Sequence, residues 1–563
     1  MVCTAPQWVI RGHVDDHALP SLNFTPVFRS LMRCRGMHDP AEVMDFLTPN
    51  LGQLRDPRSM KGMERACSRI VEAINRKENI GVFTDYDVDG VCSAALIHRF
   101  MTGLGCDPPA VFIPDRTSDG YGLNTRGIDE LHARGVTLLI TADCGITAHQ
   151  EVDYANSLGM DVIVTDHHEV DGPVPDAYSV INPKQSDCLF CGEDLCGTGV
   201  VYHLIIALRS LLRERGVANL PNLKGELDIV AMATVADAVA LSGLNRILVK
   251  EGLSVLNSSM RVGLSALSRV AGIKKELMSR DLGYILGPRI NAAGRISDAR
   301  NAFDLLTTED PGQAQRLAVE LDGLNRKRQM HEQRVLEMAL EQLRDSPPME
   351  NVTVVWGRDW HIGVLGIVAS RLVNLLARPA LVISVMDGMG IGSGRSLPGI
   401  DLHRALSGAA AVLAGFGGHK MAVGLSVPEE RITVLPGMLN EAVASQMETR
   451  QNTFDVDLRI SPYDLSPALL QELELLAPYG EGNPEPVFLI PAMEVVSRKD
   501  FGDGQAKFIL KHSNRVFHTL KSPVGPHLGD ASKYLDVAFT PVRLRINGHS
   551  YLYLSVKAMA MSR

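Results

Sequence analysis

Residues Ile80–Ala95 read IGVFTDYDVDGVCSAA. The apolar run Ile80 to Phe83 gives way to Asp85, Asp87 and Asp89 in alternation, then to Gly90 and a small-residue segment with helical spacing. This is the pattern of a buried strand whose end carries three carboxylates. Two later stretches repeat it. Thr137–Thr141 (TLLIT) runs into Asp143, Cys144 and Gly145, and Val162–Thr165 (VIVT) runs into Asp166, His167 and His168. Short apolar strands alternating with amphipathic helices predict a parallel sheet, and such sheets bind ligands at the carboxyl ends of their strands. Carboxylates crowded on one rim repel, and burying them uncompensated is costly, so the pattern predicts a cation among them. Oxygen donors mixed with imidazole suit Mn²⁺ or Mg²⁺ better than a thiolate-type zinc site. Asp-x-Asp-x-Asp-Gly also opens an EF-hand loop. Here, however, the twelfth position is Leu96 where a bidentate Glu is required, and a strand precedes it.

TDYDVDG, ADCG, TDHHE and, further on, VADAVAL resemble, in that order, the four motifs of the DHH phosphoesterase superfamily. Later segments are similar to its RecJ-type single-strand-specific exonucleases, over nearly the whole chain. The resemblance implies two divalent cations, Mn²⁺ or Mg²⁺, held by Asp87, Asp89, Asp143, His167 and Asp237, with Asp143 bridging. It further implies that Asp85 supplements one cation, since Phe83 stands where smaller relatives place a ligand histidine. By the same resemblance His168 contacts the scissile phosphate and Asp166 orients the imidazoles. By its residues alone, Asp237 at the end of ELDIVAMATVADAVA could simply terminate a helix.

The chain has 563 residues, 45% of them hydrophobic, and a formal net charge of −9, which makes it a globular protein with room for several domains. An acidic total disfavours indiscriminate nucleic-acid binding but leaves room for a local basic groove. No apolar run approaches the length of a membrane span, and MVCTAPQWVIRGHVDD carries charge where a signal peptide keeps its apolar core, so a cytoplasmic protein without a membrane partner is expected. Nine scattered cysteines read as reduced thiols. Cys188, Cys191 and Cys196 cluster, yet no fourth zinc ligand is evident nearby.

Five regions follow in order. Residues 1–75 read as a cap packed against the first domain, and 76–260 as the DHH catalytic domain. Its loop VFIPDRTSDGYGLN offers Arg116 to a phosphate and Tyr121 to a base. A helical connector spans 261–349. It contains GPRINAAGR, which resembles a RecJ-type segment and whose Arg289, Asn291 and Arg295 are suited to gripping consecutive phosphates, with Gly294 permitting close backbone approach. A long amphipathic helix over 317–343 ends before Pro347 and Pro348. Residues 350–447 resemble the smaller α/β DHH-associated domain, where GSGRS and GFGGHKMAVG supply Ser393, Arg395, Ser396 and His419 for a terminal phosphate. No Walker-type loop occurs in the chain. Residues 452–563 carry short β-like runs (FDVDLRI, PVFLIP, KFILKH, RVFHTL, VRLRI, YLYLSV) that predict a small barrel, an OB-fold by resemblance. There Lys499, Lys507, Lys511, Arg515, Arg543 and Arg545, with Phe508, Phe517 and Tyr551, offer charge and stacking faces to a single strand. APYGEGNPEPVF (Ala477–Phe488) resembles a linker of the same family.

The expected function is a monomeric single-stranded-DNA-specific 5′→3′ exonuclease of DNA repair and recombination, releasing 5′-mononucleotides by two-metal catalysis. Single-stranded DNA is its substrate, with a single-strand-binding protein and a helicase as partners. Polarity, product and partners are what the resemblance implies. Two rival readings are a phosphodiesterase for cyclic dinucleotides or very short oligonucleotides, and a non-catalytic strand-binding module. GPRINAAGR and the barrel argue against the first, and the intact acidic positions argue against the second.

Overall fold

The computed structural model describes residues 7–562 apart from 117, 121, 191, 193, 346–349, 448–452, 502–504, 524–532 and 547–548. The described chain opens with strand β1 (Gln7–His13) and two helices, Pro26–Cys34 and Pro40–Leu47. The catalytic domain follows, with β2 (Asn79–Thr84), β3 (Ala110–Phe112), β4 (Val136–Ala142), β5 (Asp161–Thr165) and β6 (Ser179–Ile181). These form an all-parallel sheet in the order β3-β2-β4-β5-β6, as the strand–helix alternation predicts. Both faces are covered by helices, and β2, β4 and β5 each end on fully buried residues that place the following loops on one rim.

A continuous helical stretch from Ser279 to Ile296, with a π-turn at Leu282–Leu286, leads by way of the helix Arg300–Thr307 to the 35-residue helix Pro311–Asp345. The second α/β domain contains β7 (Thr353–Arg358), β8 (Ala380–Met386), β9 (Met389–Arg395), β10 (Gly415–His419) and β11 (Ala422–Pro428), ordered β10-β11-β9-β8-β7. Only β7 and β8 run parallel. The last region holds β12 (Thr453–Arg459), β13 (Phe488–Asp500), β14 (Gln505–His512), β15 (Arg515–Thr519), β16 (Ser522–Pro523), β17 (Tyr534–Ile546) and β18 (His549–Met561). Pairing of β13 with both β17 and β14 closes β13-β17-β18-β15-β14 into a five-stranded barrel, the arrangement of an OB-fold.

Two expectations are corrected. FDVDLRI is not a barrel strand, because β12 touches β13 over only two residue pairs and otherwise lies beside β1. The first 48 residues, expected to pack against the catalytic domain, bury their apolar side chains against the barrel region and touch the catalytic domain at Phe46 and Leu47. Strand β1 pairs in parallel with β12, from Gln7 opposite Thr453 to His13 opposite Arg459. Phe28, Leu31, Val43 and Leu47 share one core with Phe488, Phe508 and Leu510 of the barrel. The helix Met63–Arg76 joins the catalytic core together with Met60, and Leu51 and Leu54 pack against it. An amphipathic segment declares that it needs an apolar partner, not which one, and here the partner lies more than 400 residues away in sequence.

Candidate metal centre

The rim is assembled from strand ends and helix starts. Thr84 closes β2, and the chain turns through Asp85 and Tyr86 to Asp87, whose Oδ1 caps the next helix by accepting from the amides of Asp89 (2.9 Å) and Gly90 (3.1 Å). Asp89 points across to a second helix start. Its Oδ2 accepts from Gly197 N (2.6 Å) and its Oδ1 from Thr198 N (2.8 Å), so the positive end of the helix Gly197–Glu214 stabilises its charge. Asp143, just past β4, holds φ +62°, a left-handed conformation that Asp tolerates better than most residues. A Cβ on Gly197 would lie 2.7 Å from the Asp143 Cβ, so only glycine permits this approach. Asp237 ends the helix Leu227–Ala236.

His167 Nε2 lies 3.1 Å from Asp143 Oδ1 and 3.8 Å from both Asp89 Oδ2 and Asp237 Oδ2. Three overlapping groups of potential ligand atoms result: Asp85–Asp87–Asp143, Asp89–His167–Asp237, and Asp143–His167–His168, each with its atoms within 4.8 Å of one another. Asp143 and His167 each belong to two of them. Burial, then mutual repulsion, pushes the carboxyls of Asp85, Asp87 and Asp143 up, and Asp237 up to about 9. Burial also pushes His167 down, leaving its imidazole neutral as a ligand must be. Asp85 Oδ1, Asp143 Oδ1 and His167 Nδ1 are buried without a hydrogen-bond partner. Unpaired donor atoms and crowded carboxyls together fit divalent cations with oxygen and imidazole ligands.

Asp166 is held differently. Its carboxylate accepts from the amides of Ile146 (2.9 Å), His167 (2.7 Å) and His168 (3.0 Å), and from His168 Nδ1 at 2.7 Å. Burial opposes its charge, but these bonds prevail and hold it below the usual range, and the same pairing raises His168 against its own burial. Asp166 therefore sets the His168 ring. Buried Asn182, which the sequence reading missed, anchors the His168 carbonyl at 2.9 Å.

Beside the carboxylates stands a cluster of arginines. Arg116 lies 5.2 Å over the ring of Tyr86, the residue between Asp85 and Asp87. Arg295 donates to the Gly363 carbonyl (3.1 Å) and is lowered to about 10 by burial and by its neighbours Arg116, Arg328 and Arg395. Arg395 is lowered by burial and by Arg116. Like charges gathered this closely require an anion to be comfortable.

Residues 79–234 match the DHH family N-terminal domain, 350–445 the DHHA1 domain and 456–558 the RecJ OB domain. The sequence is 36% identical over 498 residues to the single-stranded-DNA-specific exonuclease RecJ of Escherichia coli, covering 85% of each protein. The chain belongs to the RecJ family of metal-dependent DNA exonucleases. It is also 35% identical over 499 residues to RecJ of Bacillus subtilis, covering 87% of this chain, and spans 62% of that protein's length. The structure superimposes with a TM-score of 0.83 on Thermus thermophilus RecJ in complex with Mn²⁺, at 30% identity, covering 99% of this chain and 80% of that one. A Mg²⁺ complex of the same protein matches with a TM-score of 0.78 at 28% identity. Divalent cations are thus the cofactor class of the family fold.

Several residues assigned to substrate serve other ends in this RecJ-family chain. In GPRINAAGR, Arg289 is tied to Asp322 (2.9 Å) and to the Ile285 carbonyl (2.7 Å). Asn291 Oδ1 accepts from Val88 N at 3.0 Å and so braces the metal loop. Ser396 is buried and donates to the Ile400 carbonyl. Ser393 accepts from Arg395 Nη1 at 3.1 Å. His419 is exposed and lies two strands from Arg395, through Ala422. Tyr121 and Cys191 lie outside the described residues, and among those described Cys188 and Cys196 are free thiols belonging to no ligand group.

On the barrel, Phe508 and Phe517 are core residues at 4% and 3% exposure and cannot stack on a base. Arg515 donates to the Pro462 and Leu465 carbonyls, and Arg543 pairs with Glu474. The exposed rings among the described barrel residues are Tyr551 at 48%, Tyr534 at 47% and Phe501 at 42%, and the ammonium groups of Lys499, Lys507 and Lys521 lie within 5.7 Å of the Phe501 ring centre. Lys499 and Lys507 were legible as basic. Phe501 escaped notice because it lies one residue past the end of β13, outside the β-like runs.

No helix among the described residues is long and apolar enough to cross a membrane.

Proposed function

We propose that this protein hydrolyses single-stranded DNA from its 5′ end, releasing 5′-mononucleotides with two divalent cations, in DNA repair and recombination. The observation that carries the reading is the juxtaposition of the Asp143-centred carboxylate cluster with Arg116 and Arg295, whose charges act on Asp85 and Asp87, and with Arg395 next to them. A pocket lined by guanidinium groups immediately beside the cleavage centre accepts a terminal phosphate dianion and blocks further advance of the strand, which is what distinguishes an end from an internal phosphodiester. The relatives named above are called single-stranded-DNA-specific exonucleases, and they supply the substrate class.

In this reading Asp87, Asp89, Asp143, His167 and Asp237 hold the two cations, Asp143 bridges them and Asp85 supplements one. When bound, the cations supply positive charge against the phosphodiester and acidify the attacking water. His168, its Nδ1 bound to Asp166, presents the opposite edge of its ring to the scissile phosphate as a fixed hydrogen-bond donor. Arg395 and Arg116 bind the terminal phosphate, and Arg295 adds charge from the helix behind them. A single-strand-binding protein and a helicase fit as partners, since both supply single-stranded DNA.

Product analysis on 5′- and 3′-labelled single-stranded DNA with Mn²⁺ or Mg²⁺ tests this. Mononucleotide release from the 5′ label at the earliest time, with the 3′ label shortening progressively, is the expected result. Release from the 3′ end, or cleavage confined to dinucleotides, would overturn it.

A further inference from the structure

The helical stretch Ser279–Ile296 crosses the molecule from the barrel linker to the arginine cluster. At its start Ser279 Oγ donates to the Tyr479 carbonyl of the linker (2.5 Å). In its second half Asn291 bonds to the metal loop and Gly294 packs on the Tyr86 carbonyl, while Arg295 joins the arginines. Its other faces are occupied, since Gly287 abuts Ala236, one residue before Asp237, and Arg289 is bound to Asp322. One stripe remains accessible at helical spacing, running Arg295, Asn291, Pro288 and Tyr284.

Tyr284 is 85% exposed, the most exposed of the large apolar side chains, and stands in the π-turn Leu282–Leu286. π-turns recur at functional positions, because the extra residue re-aims a side chain at the expense of helical hydrogen bonding. At Gly283, beside it, an added Cβ would come within 3.3 Å of Val235 Cγ1 on the helix that delivers Asp237, so the two helices approach closely here. Among the described residues, the Tyr284 ring packs on nothing that would explain its placement, and it shares a stripe with Asn291, which bonds to the metal loop, and Arg295.

We infer that Tyr284 stacks on a nucleobase of the strand on the 3′ side of the scissile phosphate, resting on the exonuclease reading above. The helix acts as a ruler. Arg295 marks the terminal-phosphate end and Asn291 the metal loop. Tyr284 lies seven residues beyond Asn291 on the far side, about 10 Å along the axis at the usual rise. That distance corresponds to roughly three nucleotides at stacked spacing, or fewer in a stretched strand. The strand leaves the metals past Tyr284 toward the linker and barrel. Stacking is indifferent to base identity, as a non-specific exonuclease requires.

The test measures kcat/KM with Mn²⁺ on a 5′-phosphorylated series from two to eight nucleotides, for wild type, Tyr284→Ala and Tyr284→Trp. For Tyr284→Ala the ratio of hexanucleotide to dinucleotide kcat/KM should fall roughly 5- to 100-fold, the range seen when a stacking ring is truncated. Tyr284→Trp should retain the wild-type ratio. Placing one abasic nucleotide at positions two to five should find a single position where wild type falls to the level of Tyr284→Ala and the variant loses nothing more. An unchanged length ratio in Tyr284→Ala, with wild type cleaving every length, overturns the stacking role alone. A wild type inert on all lengths overturns the exonuclease reading and this inference with it.

Discussion

Gly294→Ala is the most direct probe of how the connector helix serves the metal loop. An added Cβ would lie 2.4 Å from the Tyr86 carbonyl oxygen and 3.1 Å from the Tyr86 Cβ, where ordinary contact begins at 3.4 Å. Helix and loop must therefore part by about 1 Å, and Tyr86 sits between Asp85 and Asp87. Alanine favours the helix over glycine by about 1 kcal/mol, while overpacking costs about 1–3 kcal/mol, so global stability should change by no more than roughly 2 kcal/mol. Catalysis is less forgiving, since a misplacement of about 1 Å costs on the order of 100-fold. The expected result is a kcat about 100-fold down on a 5′-phosphorylated oligonucleotide, with weakened Mn²⁺ binding by calorimetry and a nearly unchanged melting temperature. Gly323→Ala in the long helix, where nothing lies within 4 Å, is the matched control and should keep full activity. Wild-type kcat and Mn²⁺ affinity in Gly294→Ala would refute the idea that this contact positions the loop.

Other outcomes follow from the same geometry. The carboxyls of Asp85, Asp87, Asp143 and Asp237 titrate higher folded than unfolded, so without metal their contribution to stability is complete below about pH 4 and drains away as pH rises toward about 9, the value for Asp237. Thermal melts in chelator should fall across that window while Mn²⁺ raises them by a margin that grows with pH; a pH-independent margin would count against a carboxylate site. Arg395→Ala should lose about 1.5–3 kcal/mol of preference for 5′-phosphate over 5′-hydroxyl ends. A uniform loss on both substrates with a lowered melting temperature would instead assign Arg395 to bracing β9 through its bonds to Ser393 Oγ and the Gly394 carbonyl. Phe501→Ala should weaken binding of long single strands by about 1–3 kcal/mol with the barrel intact, whereas Phe508→Ala should cost about 3–5 kcal/mol of stability; equal melting temperatures for the two would contradict their placement. Truncation after Gln451 should yield an unstable protein rather than a clean binding mutant, because it strips the partner from Phe28, Leu31 and Val43; a soluble, cooperatively melting fragment would show otherwise.

What the sequence made legible was what is local. Each strand that ends in an acidic motif carries its signal within about ten residues, so the metal rim and its sheet could be read directly. The barrel runs were read the same way, apart from Phe454–Ile460, whose alternation suits any sheet edge. Misread residues were those whose role depends on a distant partner. Asn291 and Arg289 look like phosphate contacts until Val88 and Asp322 appear beside them. Phe508 and Phe517 look like stacking rings because alternation tells two faces apart but not inside from outside in a closed barrel. One missed element did leave a trace: CGTGV begins with a small-residue turn into a helix, a site for an anion, and the anion it receives is the Asp89 carboxylate.

One side chain makes four of the bonds that tie the catalytic domain to the linker ahead of the barrel and to the N-terminal segment. Arg246 is 1% exposed, yet among the described residues its hydrogen bonds all go to backbone carbonyls. Its Nε donates to the Phe46 carbonyl (2.8 Å), Nη1 to Leu476 (2.8 Å) and Nη2 to Leu475 (3.1 Å) and Ala477 (3.0 Å), with the Phe46 ring 3.8 Å from its Cζ. Burial pushes it down to about 10, so the charge persists at neutral pH and is neutralised by carbonyl dipoles alone. Lysine could not replace it, because only the planar guanidinium reaches this many acceptors at fixed angles. These carbonyls come from the N-terminal segment and from the linker ahead of the barrel, while Arg246 rides on the helix Gly243–Ser259 that follows the Asp237 loop. Leu241 N also donates to the Glu481 carbonyl of the same linker at 2.7 Å. The helix behind the metal rim and the linker ahead of the barrel are therefore bonded directly to each other, so on the proposed reading a strand that leaves the carboxylates past Tyr284 meets a linker already fixed in place.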